Sequence, residues 1–152
     1  MLVRLEEAIK QKKFVNDHIH ASINLYYTAS QHLHYLNRIL KPYQLSIQQF
    51  NILRILKGRK GEPISVKKLT DRMIDKMSNA SRLVEKLRSK GLVERRACQN
   101  DRRQVEVLIT SEGIEIVEKA SILIEEGTMQ YLSSLSGQDA KELNTLLDKI
   151  NQ

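Results

Sequence analysis

Between Asn100 and Gly113 the chain reads NDRRQVEVLITSEG, with Asp101 and Arg103 flanking Arg102 just ahead of an alternating apolar run through Val105, Val107 and Ile109. One chemistry suits an arginine on a projecting loop. Its guanidinium can enter a narrow minor groove of DNA, where the negative potential is enhanced, while a nearby carboxylate fixes the direction of its fork. Arg103 is the candidate probe and Asp101 its positioner; the alternative is a surface ion pair that only pins the loop. Arg102 has two readings, a phosphate contact or an outward solvated charge.

A second set lies upstream in KMSNASRLVEKLRSKG. Ala80, Leu83, Val84 and Leu87 recur at helical spacing and face inward, so Lys76, Ser78, Asn79, Ser81, Arg82 and Lys86 face outward from a helix expected to begin near Met77. Asparagine can pair with an adenine edge and arginine with a guanine edge or a phosphate. The serines are adaptable contacts or plain helix caps. Ser65, Lys67 and Lys68 open the preceding short helix, where charge and free backbone N–H groups suit phosphate and would position the protein without reading bases.

The charge distribution agrees with that chemistry. Residues 54–103 hold 16 Lys/Arg and 6 Asp/Glu, a net of +10, whereas the remaining 9 and 12 leave −3. Basic charge gathered in one third of a chain is the footprint of a nucleic-acid surface, because each neutralised phosphate releases counterions. A Gly-rich phosphate loop, a nucleophile elbow and a zinc-spaced Cys/His set are all missing from the sequence, which argues against an enzyme. No cofactor and no metal is expected. The pairs His18-x-His20 and His32-x-His34 diverge on a helix and stand about 21 Å of rise apart. A single cysteine, Cys98, excludes an intrachain disulfide and reads as a bystander thiol. With no signal-like N-terminus and no apolar run of spanning length, the expected home is the cytoplasm, away from membranes.

The elements that must position these residues can be read from pattern. Residues 7–40 lack Gly and Pro, and Ile19, Ile23, Tyr26, Leu33, Leu36 and Leu40 recur at helical spacing, so one long amphipathic helix is expected there, ending at Lys41-Pro42. Ser46 with Gln49 forms a capping box for a second helix, broken by Gly58 and Gly61. Ser65 caps a short third helix carrying Val66, Leu69 and Met73. That helix and the next, closed at Gly91, make a helix-turn-helix. LVERR and QVEVLIT come next as a hairpin. Thr110 or Ser111 caps a helix running to about Leu135, and Ser136 with Asp139 restarts a last one carrying Leu143, Leu146, Leu147 and Ile150.

A helix-turn-helix followed by a hairpin is a winged helix. DRRQVEVLITSEG resembles the wing of the MarR family of bacterial transcription regulators, whose pattern is Asp, any residue, Arg, then a strand ending in Leu/Ile-Thr, two residues and Gly; Asp101, Arg103, Ile109, Thr110 and Gly113 fall on it. LTDRMIDKMSNASRLVEKLRSKGLVERR resembles the family's helix-turn-helix and following strand. The resemblance implies a mainly α fold with a small β-hairpin wing: a winged-helix lobe at about 46–110, flanked by dimerisation helices at about 7–40 and 111–150, in one domain over 1–152. It further implies a sequence-specific regulator of double-stranded DNA, a repressor, binding a palindromic operator as a homodimer. The alternative is a winged-helix protein-protein interaction module without specific DNA binding. Small aromatic or phenolic effectors between the dimerisation helices and the lobe are also implied, with Tyr26, Tyr27, His34, Tyr35 and Tyr43 as candidate lining. The peroxide-sensing relatives use a cysteine near the N-terminus, a pattern that Cys98 does not match.

Overall fold

The computed structural model describes residues 4–98 and 105–151. A short helix α1 (Leu5–Ala8) precedes the long α2 (Asp17–Leu40), which passes through a 3₁₀ turn (Lys41–Tyr43) into α3 (Ile47–Lys57). Beyond it lie strand β1 (Ile64–Ser65), α4 (Val66–Arg72), α5 (Ala80–Ser89), β2 (Val93–Ala97), β3 (Val105–Ile109), α6 (Ser111–Tyr131) and α7 (Gly137–Ile150). The fold is mainly helical, as expected, but the wing is a three-stranded antiparallel sheet of order β1-β3-β2. Ile64 pairs with Val107 and Arg95 with Val107 from the other side. A two-residue strand has no periodicity to betray it, so β1 is visible only where β3 supplies its partner.

Several boundaries follow local chemistry. Ser46 accepts from the Gln49 backbone N–H while the Gln49 side chain accepts from Ser46, closing the expected capping box on α3. Ser65 caps α4 through the Lys68 N–H, and Ser136 closes a second capping box with Asp139 on α7. Gly91, at φ +73°, lets the chain leave α5 in the left-handed conformation. Thr110 does two jobs, since its hydroxyl donates to the Gly91 carbonyl at 2.8 Å and accepts the Gly113 N–H at 3.0 Å. A Cβ on Gly113 would lie 2.2 Å from the Leu92 carbonyl oxygen, so only glycine lets the start of α6 close on the turn after α5.

Two expectations are corrected. The helix expected over 7–40 is interrupted, because Lys10 takes a left-handed φ of 55° and the main helix restarts at Asp17. Asn16 accepts the Ile19 N–H at 3.0 Å, so Asn-Asp is the start signal, and the absence of Gly and Pro did not guarantee continuity. The helix expected to begin near Met77 begins at Ala80 instead. Asp75 takes the Met77 N–H at 3.1 Å and the Ser78 hydroxyl at 2.6 Å, which closes those residues into a turn, and Asn79 caps α5 through the Arg82 N–H at 3.0 Å.

The core lies in the lobe. Phe50, Leu53 and Leu56 of α3, Leu69 of α4, Val84 and Leu87 of α5, and Val93 and Val107 of the sheet are buried together; Leu40 from the end of α2 and Val117 and Ala120 from the first half of α6 close it. Each fully buried aliphatic side chain contributes about 1.5 to 3 kcal/mol relative to exposure, so this cluster holds the helix-turn-helix in shape. By contrast α7 buries no residue. Among the described residues, no helix is long and apolar enough to cross a membrane.

Candidate nucleic-acid interface

The surface of interest is built on α4, the turn 73–79, α5 and the wing. Met73 anchors the turn to the core, being nearly inaccessible, and Asn51 of α3 accepts the Ile74 N–H at 3.2 Å. Asp75 organises the rest of the turn. Its carboxyl is held below the ordinary aspartate value, chiefly by the Ser78 hydroxyl and further by backbone N–H groups and Gln48. The turn residue ahead of α5 is thus an anion stabilised by the donors it gathers.

The expected contact residues divide by what they are already doing. Ser81, Arg82 and Lys86 are exposed on α5, and Lys76 is exposed in the turn. Lys67 and Lys68 are exposed on α4. Ser65, Ser78 and Asn79 are committed to local scaffolding, two as caps and Ser78 as a donor to Asp75. A bidentate adenine contact by Asn79 would need the same Oδ1 that caps α5, so its free amide N–H₂ is the group left for a base edge. Asp101, Arg102 and Arg103 lie outside the described residues.

Three scaffold residues, Glu85, Arg88 and Arg95, were not singled out from sequence. Glu85, on α5, accepts from Arg88 at 2.7 Å and from Arg95 of β2 at 3.1 Å. Its carboxyl is lowered first by the Arg88 hydrogen bond and then by Arg95. The Glu85-x-x-Arg88 spacing is a signal readable from sequence, whereas the Arg95 contact depends on how the wing folds back.

Of the five candidate effector-lining residues, Tyr35 alone lines the concavity of about 430 Å³ between α2 and α6, which Arg38, Ile39, Leu123 and Gln130 also border. Arg38 lies 5.3 Å above the Tyr35 ring, and Tyr35 meets Tyr131 at 5.0 Å. Tyr43 packs on the lobe core, Tyr27 is half-buried, His34 is exposed and Tyr26 is 79% exposed. His32 stacks on Tyr131 at 4.8 Å while His34 is exposed, so the two diverge as expected. Among the described residues, no group of three or more His, Cys, Asp or Glu could hold a metal ion.

The MarR family model matches residues 45–105. The HTH-type transcriptional regulator MgrA of Staphylococcus aureus is 30% identical over 117 residues, 77% of each chain. A mutant MarR from E. coli, solved in complex with operator DNA, superposes with a TM-score of 0.79 at 24% identity over 91% of this chain and 99% of that one. BpsR of Bordetella bronchiseptica, whose DNA binding is regulated by 6-hydroxynicotinic acid, superposes with a TM-score of 0.74 at 22% identity over 84% and 90%. Sequence, lobe and wing agree, and the chain belongs to the MarR family of DNA-binding transcriptional regulators.

Proposed function

We propose that this protein is a sequence-specific repressor of the cytoplasm that binds a palindromic double-stranded operator as a homodimer and is released by a small aromatic or phenolic effector. The unit is a single domain over 1–152, with the lobe at about 46–110 and the dimerisation surface on α2, α6 and α7. The observation that carries DNA binding is the face of α5, where Ser81, Arg82 and Lys86 stand accessible beside a wing tied to the same helix by Glu85 and Arg95. A recognition helix lies with its N-terminal residues toward base edges, and the wing beside it reaches the adjacent groove.

The dimer is supported by apolar side chains left outside the core. Leu33 of α2, Ile122 and Met129 of α6, and Leu143, Leu146 and Ile150 of α7 are exposed, apolar surface left outside the lobe core. A two-fold partner offering the same face would cover it, and two-fold symmetry matches a palindromic site. The effector reading is supported by the Tyr35 concavity, an aromatic wall with a cation above it, and by the aromatic acid that regulates BpsR.

Selection of bound fragments from the source genome, followed by gel-shift titration in rising salt, tests this reading. The expected result is an inverted-repeat site whose affinity falls by orders of magnitude between about 50 and 200 mM salt. Uniform recovery of all fragments, or a flat salt response, would leave the interaction-module reading standing instead.

A further inference from the structure

A second concavity, of about 500 Å³, lies between α4 and the wing sheet and shares no lining residue with the Tyr35 site. Three cations wall it: Arg59 after α3, and Lys68 and Arg72 of α4. Asp71, and Glu106 on the sheet face opposite buried Val107, also border it, yet among the described residues none of these five charges forms an ion pair. Three cations and two acids therefore line one recess, an excess of one positive charge with no direct ion pair between them among the described residues.

The guanidinium of Arg59 is the most constrained of them. One terminal N–H₂ group donates to the Pro63 carbonyl at 3.3 Å, while Nε is shut off from solvent with no partner among the described residues. The guanidinium is thus held in one direction, and its remaining terminal N–H groups are the ones an acceptor in the recess could meet. Ser65 adds a hydroxyl whose oxygen already accepts the Lys68 N–H, which leaves its hydrogen free to donate. Forked and ammonium donors with a hydroxyl form a tetrahedral-oxyanion donor set.

We propose that this concavity binds a small oxyanion of the phosphate class, inorganic phosphate or a phosphomonoester. The site is separate from the exposed face of α5, shares Ser65 and Lys68 with the expected phosphate contacts of α4, and joins α4 to the strands of the wing. An anion there would brace the wing against the helix-turn-helix, so the ligand adds a regulatory input distinct from an aromatic effector.

Cys98 borders the same recess and is the one cysteine of the chain, so its alkylation by iodoacetamide reports on this place alone. Inorganic phosphate is titrated into the protein at fixed pH and ionic strength, with no DNA present. A bound dianion covers the sulfur and disfavours the thiolate that attacks, so alkylation slows saturably by about threefold or more. Lys68→Gln and Arg72→Gln, both at exposed positions, weaken the apparent phosphate affinity by about tenfold, the scale for one charged contact, while the exposed Arg54→Gln on α3 leaves it unchanged. The proposal is overturned by a rate indifferent to phosphate, by a decline without saturation, or by saturation that survives in both recess variants. Because DNA is left out, any of those outcomes leaves the operator reading intact.

Discussion

The Glu85 carboxylate meets the Arg95 guanidinium at 3.1 Å, joining the recognition helix to the first full strand of the wing. Both side chains are solvent-accessible, so the contact adds little to folding. On the proposed DNA-binding reading its role is angular, because the wing and α5 would enter adjacent grooves together and this pair ties one to the other. Glu85→Gln is expected to weaken operator binding several-fold while moving the melting temperature by no more than about 2 °C, the small shift of a surface change. Equal operator titrations for wild type and variant would remove the positioning role.

Arg103→Ala is expected to lower specific affinity by about 1 to 3 kcal/mol per site, the cost of losing one good specific contact. Lys141→Ala, at an exposed position of α7, serves as the control that changes charge alone. Thermal melting separates the readings: if Arg103→Ala binds normally and Asp101→Ala melts many degrees lower, the two form a structural pin.

Gly113→Ala places a methyl group where the Leu92 carbonyl oxygen would be 2.2 Å away and Ile109 2.8 Å away. The start of α6 must shift off the α5–β2 turn, and overpacking of that kind costs about 1 to 3 kcal/mol. Urea denaturation measures it, and an unchanged midpoint would mean that the backbone yields without strain.

The doubly substituted Leu143→Glu/Leu146→Glu protein is expected to sediment as a species of about 17.6 kDa and to lose operator affinity, whereas wild type sediments at twice that mass. Leu146 is 57% exposed in the isolated chain, so charge there should not disturb the lobe core. A variant that still dimerises would move the interface off α7.

Asp75 supplies the pH prediction. Its carboxyl titrates below the ordinary aspartate value of 3.8 in the folded chain, chiefly because Ser78 donates to it. A depressed acid stabilises the fold above its unfolded value and loses that contribution as pH falls through the folded one. The turn should therefore be indifferent to pH near neutrality and loosen only below about 3.8. Carbon-detected NMR titration of the Asp75 carboxyl checks this; a midpoint at or above 3.8 contradicts the hydrogen-bonded turn.

What the sequence determined by itself was what neighbouring residues decide. The boxes Ser46-Gln49 and Ser136-Asp139, the Ser65 cap, the close of α5 at Gly91 and the alternation of β3 all rest on contacts within a few positions, and each is legible as a pattern, whereas the choice of Thr110 over Ser111 as the cap of α6 was left to the fold. The break before Asp17 and the start of α5 at Ala80 were also local, but Asn16 and Asp75 could have served many turns, and only the folded chain shows which N–H each one takes. Tertiary structure alone decided the rest. The strand β1 exists because β3 pairs with it, Tyr35 rather than Tyr26 lines a recess because of how α2 crosses α6, and Glu85 reaches Arg95, ten positions along the chain, only because β2 folds back on α5. Those outcomes depend on burying one shared core, a non-directional free energy that ranks whole arrangements and leaves no mark at any single position.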